Sequence, residues 1–331
     1  MSKIKVAING FGRIGRITMR ALLKKENIQV VAINDLTDTA TLAHLFKYDS
    51  VHGKFDGNIE AGDKHLSING NCIYIYSSKS PSDLPWKDLG IDVVIESTGL
   101  FRSMEDAGKH LESGAKKVII SAPPKGEVKT VVLGVNDNLL DGSETVLSNA
   151  SCTTNCAAPM VKVLDELWGI ESGFLSTIHA YTSDQRLHDA PHSDLRRARA
   201  AAANIIPTST GAANAIVKIF PHLKGKLGGS ALRVPVASGS ITELTCVLKK
   251  EVSPEEINSA FKAIAQSELK GILEYSDEPL VSVDIISNPH SCIFDSGLTA
   301  TIGKMVKVVG WYDNEAGYSN RLADLVEVIG T

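Results

Sequence analysis

The chain has 331 residues, 43% of them hydrophobic, with 34 basic against 38 acidic side chains for a net charge of −4. That length suits two domains with their own cores, the apolar share excludes a disordered or fibrous chain, and the mildly acidic balance argues against a primary nucleic-acid role. Five cysteines, odd in number and without Cys-x-x-Cys spacing, exclude a disulfide framework and a zinc ribbon and fit a reducing compartment. No apolar run approaches a membrane span, and the start reaches Asn9, Gly10 and Arg13 before the core of a signal peptide forms. A cytoplasmic protein with no membrane role is expected.

In chain order, residues 3–9 alternate charge with Ile and Val and break at glycine, which predicts a buried first strand and a tight turn. From Arg13 the apolar positions Ile14, Ile17, Ala21 and Leu22 recur at helical spacing, and Gln29–Asn34 supplies a second strand. Apolar strands are further expected at Val93–Ile95, Val118–Ile120 and Val131–Val135, separated by helical or turn-rich segments. This is the pattern of an α/β, Rossmann-type doubly wound parallel sheet. After Cys152 the texture changes to longer alternating strands, Phe174–Tyr181, Ile241–Lys249 and Met305–Trp311, which predict a second, α+β domain with a mixed or antiparallel sheet. Ser253, Pro254 and Glu256 start one helix by capping box, with Ile257, Ala260, Phe261 and Ile264 as its apolar face. Leu322, Leu325, Val326 and Ile329 make a closing helix whose periodicity leaves open which domain it joins.

Gly10-Phe11-Gly12-Arg13-Ile14-Gly15 reads G-x-G-x-x-G between a strand and a helix, where small residues let backbone N–H groups approach a pyrophosphate at a helix N-terminus. Asp35 follows Gly15 by 20 residues at the end of the second strand, placed to accept hydrogen bonds from a ribose diol and to repel a 2′-phosphate. Together they predict a dinucleotide site that favours NAD.

Ser151-Cys152-Thr153-Thr154-Asn155-Cys156 puts a thiol at a helix entrance, where unpaired N–H groups favour the thiolate. Pro159 lies inside that helix and predicts a kink. His179, in an apolar strand, is the best placed of nine histidines to carry the thiol proton, though 27 residues away. Read as residues alone, an unpaired cysteine is more often an inert small hydrophobe and a strand histidine more often filler. Neither Cys-x-x-Cys nor His-Glu-x-x-His occurs, so no metal site is expected.

The segments Asn9-Gly10-Phe11-Gly12-Arg13-Ile14-Gly15-Arg16, Ser151-Cys152-Thr153-Thr154-Asn155-Cys156, His179-Ala180-Tyr181-Thr182 and Trp311-Tyr312-Asp313-Asn314-Glu315 together closely resemble the phosphorylating glyceraldehyde-3-phosphate dehydrogenase family along the full length. The resemblance implies a homotetramer of subunits, each with an NAD-binding domain (1–150 plus a returning helix at about 316–331) and a catalytic domain (151–315). It implies NAD-dependent oxidative phosphorylation of glyceraldehyde 3-phosphate, with Cys152 forming a thiohemiacetal and then a thioester and His179 taking the proton. By matching position it assigns Arg13, Ile14, Asp35, Lys79, Ser121 and Asn314 to the cofactor. Thr182 and Arg233 would hold the substrate's C3 phosphate, with Asp184 orienting Arg233. Ser151, Thr153, Thr210, Gly211 and Arg197 would hold the attacking inorganic phosphate. Before Pro191, Ala190 stands where many NAD-specific relatives carry Leu or Gly, which leaves tolerance of NADP open. Two other readings compete: an erythrose-4-phosphate dehydrogenase that uses water as acyl acceptor, and a sensor in which Cys152 reacts with peroxide.

Overall fold

The computed structural model describes residues 3–330, which divide into two compact units. The first gathers the chain up to Val131, then Asn138–Ala150 and the chain from Ser319 on, while the second holds Val132–Asp137 and Ser151–Tyr318. The short piece Val132–Asp137, expected within the first domain, groups with the second.

The first unit is built on a nine-stranded sheet. Its first strand, Ile4–Asn9, pairs in parallel with Ile28–Asn34 on one side and with Val93–Glu96 on the other. Beyond Ile28–Asn34 the sheet continues to Asn71–Tyr76 and then turns antiparallel through His65–Ile68 and Ile59–Ala61. Beyond Val93–Glu96 it continues in parallel through Lys117–Ile120, Val146–Ser148 and Lys129–Thr130. The chain order thus reverses at Ile4–Asn9, the switch point at whose carboxyl edge open α/β sheets bind ligands. Val6, Ala7 and Ile8 are fully buried and Val93, Val94 and Ile95 likewise, as strands with both faces covered must be.

The expected strand Val131–Val135 does not form as such. Asn136 Oδ1 accepts from Val132 N at 2.8 Å and Asp137 Oδ1 from Gly134 N at 2.8 Å, so side chains capture the amides a ladder would need and wind the segment into turns. The closing helix Ala316–Ile329 joins the first unit from Ser319 on. There Leu322, Leu325 and Val326 are fully buried, and Lys25 Nζ reaches Asp324 Oδ1 at 2.6 Å.

The second unit carries an eight-stranded mixed sheet. Ile170–Ala180 runs parallel to Leu227–Val234 and antiparallel to Ser240–Leu248, which pairs antiparallel with Met305–Tyr312. Burial alternates residue by residue along Ser240–Leu248, so one face of the strand is fully covered and the other is half-buried. The capping box at Ser253 and Glu256 forms as read, and the helix Pro254–Gln266 buries Ile257 and Phe261. Phe261 stacks on Phe294 with ring centroids 3.9 Å apart.

Candidate functional site

In the first unit the glycine turn has the shape a dinucleotide needs. Gly10 has φ +91°, and a Cβ there would come within 2.7 Å of Thr98 N, while one on Gly15 would come within 2.3 Å of Gly10 O. Both positions therefore exclude side chains. Gly12 is different: a Cβ there would meet nothing within 4 Å, and as the residue capping helix Arg13–Leu22 it offers no side-chain partner to the helix's first N–H groups. The Asp35 carboxylate is fixed at the turn, with Oδ2 accepting from Phe11 N at 2.8 Å and Oδ1 from Thr37 N at 3.0 Å. Half-buried Ile14 lies in the first helical turn. Arg13 is paired with Asp49 at 3.1 Å, Lys79 is exposed beyond strand Asn71–Tyr76, and Ser121 N bonds Glu96 O at the end of the adjacent strand. A bare helix N-terminus beside an acidic group at a strand end fits NAD.

In the second unit Cys152 is the first residue of helix Cys152–Trp168. Ser151 caps it, accepting from Thr154 N at 3.1 Å, and the residue before the cap, Ala150, holds a left-handed φ of 57°. That strained alanine marks a built turn rather than an average helix start. Pro159 does not end the helix, which stays helical from Cys152 to Trp168, and Asn155 turns its amide back to Ser151 O at 3.0 Å. Cys152 Sγ lies 3.4 Å from His179 Nε2. Tyr312 braces His179 and the residue after Cys152, its ring edge-on to His179 with centroids 5.9 Å apart and its hydroxyl 2.9 Å from Thr153 Oγ1.

Arg233 comes to this pair by strand register, because parallel pairing sets it beside His179. Its Nη1 is 2.6 Å from His179 Nδ1, which also lies 2.7 Å from Ala180 O. The two contacts favour opposite tautomers: an Nδ1–H donating to Ala180 O leaves a lone pair on Nε2, whereas Arg233 donating to Nδ1 puts the proton on Nε2. Burial first, and Arg233 second, hold the imidazole neutral by lowering its pKa from 6.5 to about 4. Burial also pushes the Cys152 thiol up, against the pull of Arg233 and the Thr153 N–H. Burial thus acts on the thiol against the thiolate that the helix entrance favours, while Arg233 and the Thr153 N–H act with the helix entrance.

Asp184 does not orient Arg233. It bonds the Thr182 hydroxyl and takes Arg197 Nη1 at 2.5 Å, while Arg197 Nε also donates to Thr208 Oγ1 at 2.9 Å. Arg197 is thus drawn toward Thr182 by a carboxylate that the family resemblance assigns to another arginine. Thr210 Oγ1 accepts from Ala212 N at 3.1 Å, and exposed Gly211 caps helix Ala212–Ile219 without a side-chain partner, leaving the helix entrance to solvent. Buried Asn314 accepts from Ser240 Oγ at 3.0 Å and Ser238 Oγ at 3.2 Å through Oδ1, so its NH2 is the donor end. The supports Tyr312, Ser238 and Ser240 escaped sequence reading, since a hydroxyl in a strand or bend carries no local sign of what it touches. Among the described residues no cluster of His, Cys, Asp and Glu could hold a metal ion, and no helix is long and apolar enough to cross a membrane.

Two family models match the chain: the glyceraldehyde 3-phosphate dehydrogenase NAD binding domain over residues 4–104, and its C-terminal domain over residues 151–314. Curated relatives agree over nearly the whole length. A glyceraldehyde-3-phosphate dehydrogenase of Mycobacterium avium is 58% identical over 99% of this chain and 98% of its own. Those of Mycolicibacterium smegmatis and Geobacillus stearothermophilus are 57% and 56% identical, each over the same shares.

Proposed function

Since the chain belongs to the glyceraldehyde 3-phosphate dehydrogenase family, we propose that it oxidises glyceraldehyde 3-phosphate with NAD and inorganic phosphate, giving 1,3-bisphosphoglycerate, through Cys152 and His179. The observation that carries the residue assignment is the 3.4 Å approach of a helix-entrance thiol to a buried, neutral imidazole.

The chemistry follows from that geometry. His179, with Nδ1–H on Ala180 O, presents the Nε2 lone pair that takes the thiol proton as Sγ adds to the aldehyde carbon. The resulting imidazolium donates to the oxyanion of the thiohemiacetal, then takes its hydroxyl proton as the carbon is oxidised. NAD, when bound, supplies the acceptor for the hydride that this carbon gives up. The acyl group is left as a thioester on Cys152, a phosphate oxygen attacks it, and the sulfur departs as thiolate to recover its proton from His179. Ser151, Thr153, Thr210 and Gly211 offer hydroxyls and an N–H suited to that phosphate, with Arg197 as cation. Thr182 and Arg233 suit the C3 phosphate of the substrate. Arg233 does a second thing: drawn to the substrate phosphate, it leaves His179 Nδ1 and removes one of the two causes that keep the imidazole acidic. Gly10, Gly12, Arg13, Ile14, Gly15, Asp35, Lys79, Ser121 and Asn314 would hold NAD, the carboxylate of Asp35 favouring it over NADP.

The test is formation of reduced nicotinamide from glyceraldehyde 3-phosphate, with and without inorganic phosphate, before and after alkylation by one equivalent of a thiol reagent. Turnover that needs phosphate and stops on alkylation supports the reading. Phosphate-independent oxidation would move it to a hydrolytic aldehyde dehydrogenase. Arg233→Leu should lower kcat/KM for glyceraldehyde 3-phosphate by about 100-fold but change that for phosphate-free glyceraldehyde by under about threefold. Equal losses on both would show that Arg233 serves only the imidazole.

A homotetramer and a cytoplasmic location complete the proposal. Leu187, Leu195 and Ile205 are 77%, 81% and 67% exposed on one irregular segment, more apolar surface than a monomer usually leaves on a loop. A second copy of the chain would cover it. Light scattering should find a tetramer that Leu195→Asp shifts toward smaller species. A Leu195→Asp protein still tetrameric would place the interface elsewhere.

A further inference from the structure

The carboxyl ends of the central strands in the first unit share a row of buried polar side chains. Register aligns Asn9 with Asn34 on one side and with Glu96 on the other, and all three are 5% exposed or less. Glu96 Oε2 accepts from Asn9 Nδ2 at 2.5 Å and from His110 Nε2 at 3.2 Å. Its Oε1 accepts from Thr98 N at 2.9 Å and from the Thr98 hydroxyl. Behind it, Trp86 Nε1 lies 2.9 Å from His110 Nδ1.

The indole fixes the tautomer of a neutral His110. An indole N–H only donates, so Nδ1 of His110 must accept and the ring proton of a neutral imidazole sits on Nε2, aimed at Glu96. The 3.3 Å approach of Asn9 Nδ2 to Nε2 is then two donors sharing Oε2. Four donors thus converge on the two oxygens of Glu96: Asn9 Nδ2, His110 Nε2, and the amide and hydroxyl of Thr98. Such an arrangement is stable only if each donor is in place, which makes it rigid.

The partners of Glu96 form the floor of the glycine turn. Asn9 is the last strand residue before Gly10, and its Oδ1 accepts from Asn34 Nδ2 at 2.7 Å. Ser97, between Glu96 and Thr98, donates from Oγ to Gly10 O at 2.6 Å, and Thr98 N is the atom that a Cβ on Gly10 would strike. We propose that Glu96, backed by His110 and Trp86, is a positioning residue for the dinucleotide: by tying Asn9 to Thr98 it sets the height of the glycine turn over the strand ends. Glu96 lies outside the glycine motif and acts through the residues it holds. The inference rests on the reading that this turn binds NAD.

Calorimetric titration of NAD into the full-length wild-type protein comes first, because failure to bind would overturn the reading itself. Given binding, Glu96→Gln replaces an all-acceptor group with one that donates on one side, so NAD affinity should fall about tenfold. The KM for glyceraldehyde 3-phosphate at saturating NAD should stay within about twofold, since no group touching substrate has changed. A folded Glu96→Gln protein whose NAD affinity lies within about threefold of wild type overturns the proposal. Should that variant not fold, His110 provides the comparison. His110→Gln can accept from Trp86 and donate to Glu96 and should keep wild-type NAD affinity, whereas His110→Leu can do neither and should lose about tenfold. Equal NAD affinities in the two His110 variants overturn it as well.

Discussion

Cys152→Ser should lower kcat/KM for glyceraldehyde 3-phosphate by about 10,000-fold or more, equivalent to about 5 kcal/mol of transition-state stabilisation. NAD affinity and melting temperature should change little, because Ser also fits a helix entrance capped by Ser151. The loss is large because the sulfur does three things that oxygen does poorly: it adds to an aldehyde, stays bound through oxidation, and leaves readily as an anion when phosphate attacks. The structure adds a condition, since burial holds the resting thiol above its ordinary value and the nucleophile must be made on demand by His179, 3.4 Å away. In the ligand-free protein, alkylation of Cys152 should therefore keep accelerating as pH is raised past neutrality instead of levelling off. Steady-state kinetics and mass spectrometry of the trapped acyl-enzyme check the first outcome. More than about 1% residual activity in Cys152→Ser would mean that another group carries the acyl chain.

His179→Asn should cost between about 100-fold and 10,000-fold in kcat/KM, the range for a positioned acid–base group. It should also change stability in the opposite direction, with a sign that follows from linkage. The folded-state pKa of about 4 lies below the ordinary 6.5, so between those values the unfolded chain holds a proton that the native chain refuses. The penalty is absent above pH 6.5, grows as pH falls, and is complete below about 4, where it reaches about 3 kcal/mol. His179→Asn removes it, so the variant should outlast the parent in acid denaturation while being nearly inactive. Urea unfolding at pH 7 and at pH 5 measures this directly. Parallel stability losses in both proteins on acidification would place the acid sensitivity in other groups.

The parts of the site that were legible in the sequence are those whose partners lie within one turn or one strand. The glycine turn reads out because positive φ and close backbone approach admit no other residue at Gly10 and Gly15. The helix entrance at Cys152 reads out because its cap, Ser151, bonds an amide three residues on. The same locality explains an error: Val131–Val135 has strand composition, but Asn136 and Asp137 take its amides. The role that the family resemblance implies for Asp184 differs too: it pairs with Arg197, 13 residues along the chain, and not with Arg233.

From its residue order alone, then, this protein specified its strand and helix alternation, its dinucleotide turn, and a thiol placed where a helix begins, because each depends on backbone chemistry over a few residues. Tertiary structure alone decided which imidazole meets the thiol and which arginine backs it, through a parallel register joining segments 54 residues apart. It also shifted the titration of that pair, the thiol up and the imidazole down. Desolvation is a sum over every atom that closes around a group, and no short stretch of chain contains those atoms.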